Sequence, residues 1–141
     1  MQSDATLPRP LPRMRSWLFA PGDSDKKMTK AADGAADIVL LDLEDSVMPE
    51  GKPAARELVR QFLETRVDRQ RLWVRVNPLS SGEIENDLDA IMAARPGGIM
   101  LPKAEGRADV EALDALLMKA EADCGIAEGS TKVAALVTET A

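Results

Sequence analysis

The stretch Ile38-Val39-Leu40-Leu41-Asp42-Leu43-Glu44-Asp45 decides the fold. Its first six residues are almost continuously apolar, and it ends on two adjacent carboxylates. A strand with one solvated face alternates apolar and polar residues. An unbroken apolar run bounded by polar groups reads as a strand covered on both faces, and that is the habit of parallel sheets. In parallel α/β folds the carboxyl ends of the strands share one face, where ligands and catalytic groups gather.

Working outward, four more stretches repeat the plan. Ser16-Trp17-Leu18-Phe19-Ala20 runs into Pro21-Gly22-Asp23, and Leu72-Trp73-Val74-Arg75-Val76 runs into Asn77. Gly98-Ile99-Met100-Leu101 meets Pro102-Lys103-Ala104-Glu105, and Val133-Ala134-Ala135-Leu136-Val137 meets Thr138-Glu139-Thr140. Helices are expected between them. One covers residues 25–35 with Ser24 as N-cap, and one runs from Pro53, well suited to a first turn, to about Thr65. A third follows Ser80-Ser81-Gly82-Glu83, which has capping-box spacing, and places Ile84, Leu88, Ile91 and Met92 on one face. The fourth runs from about Arg107 to Glu121 and lines up Val110, Leu113, Leu116, Leu117 and Ala120. Right-handed crossovers then permit either an open doubly wound sheet or part of a barrel. The fifth strand is left with an exposed edge, a poor place for a domain to end. Residues 1–14, with Pro8, Pro10 and Pro12, read as an extended or disordered arm ahead of a domain spanning 15–141.

Composition narrows the chemistry. The 141 residues carry a net charge of -6 with a pI near 4.7, which argues against a nucleic-acid footprint. Tyr is absent, aromatics are few, and no run approaches a membrane span or a signal peptide, so a soluble cytoplasmic protein is expected. The single Cys124 allows no disulfide within the chain, and it is placed in a loop without a role. Histidine is absent. Any general base is therefore Asp, Glu, Lys or water, and any metal is held by oxygen, which favours Mg²⁺ or Mn²⁺ over Zn²⁺.

The candidate groups sit at the strand ends. Glu44 and Asp45 would face opposite ways on a regular strand, but a turn there lets both hold a hydrated metal or orient a water; alternatively they cap the turn. Arg75 and Asp42 are too costly to bury unpaired, so both belong near a polar mouth. Arg75 is suited to clamping a carboxylate bidentately, and a buried salt bridge to Glu44 or Asp45 is compatible with that role. Glu139 fits a direct metal ligand or a frayed terminal residue. Lys103 either contacts an anionic substrate or is a solvated loop lysine, the latter preferred. The Pro21-Gly22-Asp23-Ser24 turn can present backbone N–H groups to phosphate, although neither a P-loop nor G-x-G-x-x-G occurs.

Five motifs in order carry a resemblance: Arg15-Ser16-Trp17-Leu18-Phe19-Ala20-Pro21-Gly22-Asp23, Leu41-Asp42-Leu43-Glu44-Asp45-Ser46-Val47, Val74-Arg75-Val76-Asn77-Pro78, Leu101-Pro102-Lys103-Ala104-Glu105 and Val137-Thr138-Glu139-Thr140. Over about residues 13–141 the chain resembles the citrate lyase beta subunit group of the HpcH/HpaI aldolase superfamily, which includes malyl-CoA and citramalyl-CoA lyases. The resemblance implies an α/β fold of the TIM (β/α)8 barrel family, here five strands and four helices of an incomplete barrel. It also implies an oligomeric, Mg²⁺-dependent lyase that cleaves or forms a carbon–carbon bond in a 3-hydroxyacyl-CoA. Glu139 matches the metal-ligand glutamate, and Arg75 the arginine holding the carboxylate of the oxo-acid product. Glu44 and Asp45 match acidic groups beside the hydrated metal. Pro21, Gly22 and Lys30 lie where CoA binding begins. Ser24 departs from the pattern, standing where many relatives have Arg.

A complete barrel typically needs about 250 residues. The resemblance places the second metal-ligating carboxylate after the next strand, beyond Ala141, together with a later acidic residue that often acts across a subunit boundary. The chain is thus expected to be the N-terminal portion of such an enzyme, inactive by itself. Two other readings remain open: a non-catalytic half-barrel that assembles with itself or a completing chain, and a Mg²⁺-dependent aldolase acting on free 2-oxo acids.

Overall fold

The computed structural model describes residues 13–137. Five strands form one all-parallel sheet in sequence order: β1 (Trp17–Pro21), β2 (Ile38–Asp42), β3 (Leu72–Arg75), β4 (Gly98–Leu101) and β5 (Val133–Ala135). The crossovers carry α1 (Asp25–Ala32), α2 (Lys52–Glu64), α3 (Ile84–Ile91) and α4 (Arg107–Cys124). Among the described residues the sheet is not closed, and β1 and β5 are its edges. Strands that succeed one another without a change of direction in the order are the arrangement of a barrel, whereas a doubly wound sheet reverses at a switch point.

Strand alternation divides the side chains between two faces. Val39, Leu41, Leu43, Leu72, Val74, Val76, Ile99 and Leu101 join the helices in the larger apolar core. On the other face a smaller cluster forms from Ile38, Leu40 and Trp73, with Met14, Trp17, Met100 and Ala134 packed on it. Burial on both faces is why β2 reads as an unbroken apolar run: all five of its residues are buried. Trp17 and Trp73 meet edge to face, with centroids 5.2 Å apart and planes at 71°, and the Trp17 indole N–H donates to the Met14 carbonyl.

Local signals explain most boundaries. Ser24 Oγ accepts from the Lys27 N–H and opens α1, and Pro53 sits in the first turn of α2. The capping box expected before α3 does not form. Glu83 makes no side-chain cap; its side chain instead pairs with Arg56 of α2. The Ser81 hydroxyl accepts from the Glu83 N–H in a local turn, and Gly82 takes a left-handed φ of 75°. Helix α4 buries Leu113, Leu117 and Ala120, but Val110 is exposed and Cys124 closes the helix rather than lying in the following loop. Of the expected N-terminal arm, residues 1–12 lie outside the described residues.

Gly98 opens β4 opposite Trp73 of β3. A Cβ there would lie 2.6 Å from three atoms of the indole, so the missing side chain is what lets the ring lie against the sheet. Such overpacking costs about 1–3 kcal/mol. Gly98→Ala is therefore expected to lower unfolding free energy by about that amount in urea denaturation. An unchanged midpoint would show that Trp73 is not packed against this backbone.

Candidate active site

The carboxyl end of β2 meets that of β3 through one ion pair. Asp42 and Arg75 are register partners on neighbouring strands. The Arg75 Nε donates to Asp42 Oδ1 at 2.8 Å, and Nη2 donates to Oδ2 at 2.9 Å. Both residues are buried. The same carboxylate accepts the backbone N–H groups of Glu44 (2.9 Å) and Ser46 (3.0 Å), so it also shapes the turn after β2. Burial pushes the Asp42 carboxyl up, but the Arg75 hydrogen bonds, with the contacts from Glu44 and Ser46, outweigh it and hold the group below the usual carboxylate range.

That turn presents the two adjacent carboxylates differently. Glu44 is buried and Asp45 exposed, yet both reach the same lysine. Lys103 Nζ contacts the Glu44 carboxylate and lies 3.8 Å from Asp45 Oδ1. Lys103 is exposed in the β4–α4 loop, as the preferred reading has it, but it is not free in solvent: it bridges the two carboxylates. Its backbone has a left-handed φ of 54°, uncommon for a residue with a side chain. The expected buried pairing of Arg75 with Glu44 is present, but a second and closer partner joins it. The bidentate partner is Asp42, while Glu44 Oε1 stands 3.5 Å from Arg75 Nη1. That Glu44 oxygen is buried and accepts no hydrogen bond. Burial raises the Glu44 pKa above the usual glutamate value, with Lys103 opposing the shift and the neighbouring Asp45 adding to it.

Phe19 of β1, which the sequence reading passed over, lies under the guanidinium, 4.4 Å from ring centroid to Cζ. It alternates with Trp17 and Pro21 and so shares their face of the sheet. Phe19 also lines a groove of about 340 Å³ along β1 with Leu18, Pro21, Lys27 and Lys30. The structure therefore brings Pro21 and Lys30 into one groove, with Phe19 between it and Arg75. Gly22 fills a different need: its N–H donates to the Asp42 carbonyl at 2.8 Å, and a Cβ would lie 2.5 Å from that oxygen. Glu139 lies outside the described residues.

An oxygen-ligated cation suits a mouth that offers the orphan Glu44 Oε1 and the exposed Asp45. Among the described residues no group of three His, Cys, Asp or Glu side chains is placed to hold a metal. They thus supply one wall of such a site rather than a complete ligand set. No helix among the described residues is long and apolar enough to cross a membrane.

Consecutive parallel β/α units with a carboxylate–guanidinium cluster at the strand carboxyl ends define a chain of the partial TIM-barrel class. The HpcH/HpaI aldolase/citrate lyase family model matches residues 15–141, and the chain belongs to that family. It is 44% identical over 94 residues to a citrate lyase subunit beta-like protein of Mycobacterium tuberculosis, covering 67% of this chain and 33% of that one. It is 38% identical over 104 residues to a (3S)-malyl-CoA thioesterase of Cereibacter sphaeroides, covering 73% and 36%. A citrate lyase beta subunit from M. tuberculosis, solved with oxaloacetate and magnesium, superposes with a TM-score of 0.65 at 38% identity, over 86% of this chain and 46% of that one. The chain spans about a third of the length of the curated relatives it matches.

The Asp42–Arg75 pair carries a pH signature. A carboxyl held below its unfolded value of 3.8 stabilises the fold fully above that pH, and the contribution is lost as pH falls through the folded value. Asp42→Asn strands a buried guanidinium and is expected to cost about 3–5 kcal/mol at pH 7. The gap from wild type should narrow as the pH is taken below 3.8. Denaturation at pH 7 and at pH 3 checks this, and a gap that is constant with pH would contradict the pairing.

Proposed function

We propose that the protein is a divalent-cation-dependent lyase that cleaves or forms a carbon–carbon bond in a 3-hydroxyacyl-CoA, with a 2-oxo acid as the other partner. The observation that carries this reading is the state of Arg75. Its Nε and one Nη2 hydrogen are committed to Asp42, its face is covered by Phe19, and its Nη1 is directed at the orphan oxygen of Glu44. A guanidinium fixed in this way offers its remaining N–H groups to an incoming carboxylate without having to be reoriented.

In the cleavage direction the 3-hydroxyl loses its proton and the C2–C3 bond breaks. The electron pair goes to C2 as the enolate of the acyl-CoA, and C3 becomes the carbonyl of the oxo acid. Arg75 holds the oxo acid's carboxylate and offsets its charge. Glu44 is suited to take the hydroxyl proton, because it is a carboxylate facing the mouth beside Arg75 and burial raises its pKa above the usual glutamate value. Lys103 keeps Glu44 and Asp45 gathered at the mouth. The groove along β1 would take the CoA end, with Lys27 and Lys30 facing its phosphates. A bound Mg²⁺, or Mn²⁺, would supply Lewis-acid polarisation of the oxo-acid carbonyl. Glu139 would be its direct ligand, and Glu44 and Asp45 would stand beside it. The remaining ligands and the rest of the barrel come from further chain or from a completing partner, and the protein works as a homo-oligomer.

The solved relative with oxaloacetate and magnesium supports the oxo-acid and metal parts of this reading, and the relative named as a (3S)-malyl-CoA thioesterase supports a CoA-ester ligand. Isothermal titration of the full protein with Mg²⁺ and oxaloacetate tests it. Glu139→Gln is expected to abolish Mg²⁺ binding. Arg75→Ala should weaken oxaloacetate at least about tenfold, the loss of a charge-assisted hydrogen bond, while leaving Mg²⁺ affinity closer to wild type. Unchanged affinities in both variants would overturn the assignment.

A further inference from the structure

Seven polar or charged side chains are buried among the described residues, and three of them, Asp42, Glu44 and Arg75, form the site. Three others, Arg56, Asn77 and Asp87, lie directly behind it. Asp87 of α3 is the one charged side chain among the described residues with no exposure at all. Its Oδ1 accepts from Arg56 Nε of α2 at 2.7 Å. Its Oδ2 accepts twice from Asn77, from the backbone N–H at 2.7 Å and from Nδ2 at 2.8 Å.

Asn77 follows Arg75 at the carboxyl end of β3 and passes the restraint on. Its Nδ2 also donates to the Leu43 carbonyl at 3.0 Å, across the strand boundary. Lys52 Nζ donates to the same carbonyl at 2.9 Å and to the Glu44 carbonyl at 3.1 Å. The backbone bearing Glu44 is thus gripped from behind by two side chains, and one of those is fixed by a fully buried carboxylate.

Simple helix packing does not call for this set. Around it α2 and α3 bury Val59, Phe62, Leu88 and Ile91, and a buried ion pair is commonly replaceable by apolar residues of similar volume without loss of stability. Every side-chain hydrogen bond of Asp87, apart from that to its counter-ion Arg56, goes to Asn77, and Asn77 ties the ends of β2 and β3 together. We infer that Asp87, acting through Asn77, is a positioning residue of the site: it fixes the Leu43–Glu44 backbone relative to β3, so that the Glu44 carboxylate faces Arg75. This rests on the proposed lyase reading.

The test is titration of Mg²⁺ and oxaloacetate into the full protein, well below the melting temperature of every variant. Asp87→Asn keeps the size but removes the charge that organises Asn77. Asn77→Ala removes the link to Leu43 and leaves the Arg56–Asp87 pair in place, so it carries the same expectation in a less perturbed fold. Leu113→Ala, in the apolar core under α4, is the stability control. Both polar variants should lose about 10–100-fold in affinity, the usual effect of removing an outer partner, while Leu113→Ala lowers the melting temperature and leaves affinity unchanged. Wild-type affinity in Asp87→Asn and Asn77→Ala would overturn the positioning role alone. Affinity losses that follow melting temperature across all three variants would reduce the set to ordinary packing and overturn it as well. A wild-type protein that binds no oxaloacetate with Mg²⁺ would overturn the lyase reading, and this inference with it.

Discussion

A buried carboxylate facing a buried guanidinium is the constraint on which the site depends. Taking two charges out of water costs several kcal/mol per ion, and only close, well-oriented bonds repay it. Asp42 and Arg75 meet that requirement because parallel register places them side by side at the ends of adjacent strands. Two consequences follow from the same atoms. Asp42 gathers the N–H groups of Glu44 and Ser46, which sets the turn after β2. Arg75 is left with one orientation, its plane edge-on to Asp42 and its face over Phe19.

The polar groups form two tiers around this pair. In front, Glu44, Asp45 and Lys103 make a mouth in which one buried glutamate oxygen has no donor. Behind, Arg56, Asp87, Asn77 and Lys52 hold the backbone of both strand ends. The apolar remainder of each helix fixes the spacing between tiers: Val59 and Leu63 of α2 and Leu88 and Ile91 of α3 are all buried in the core under the sheet. The elements that carry the functional groups are therefore also anchored in the core, the arrangement that preorganised electrostatics requires.

The fold was legible because its strongest signal is local. The apolar run of β2, the recurrence of strand then polar end over the first four strands, and the caps at Ser24 and Pro53 are all readable from spacing, and each appears where expected. Arg75 and Glu44 were legible for a related reason: a charge within or just after an apolar strand demands a partner. The bidentate partner was not legible. Glu44, one of the two expected partners, does stand 3.5 Å from Arg75, but the bidentate partner is Asp42, two residues earlier on the same face and set beside Arg75 by the register of β2 against β3. Long-range choices failed in the same way at Glu83, which has capping-box spacing in the sequence but whose side chain is captured by Arg56 from another helix instead of capping α3. The exposure of Lys103 was legible, but its contact with Glu44 was not, because nothing in its neighbourhood reveals the left-handed backbone at that position. The Asp87 linkage has no sequence signature beyond an acidic residue between apolar neighbours on an amphipathic helix, where solvent exposure is the ordinary expectation.

The chain shares its family with proteins bearing citrate lyase and malyl-CoA names, but the chemistry proposed depends on what Arg75 grips. A crystal structure of the full protein with Mg²⁺ and oxaloacetate tests that most directly. The account predicts an oxaloacetate carboxylate within hydrogen-bond distance of the Arg75 Nη1, with Asp42 still holding Nε and Nη2 and Glu44 facing the ligand across the mouth. A ligand bound away from Arg75, or an Asp42–Arg75 pair that opens to admit it, would contradict the account.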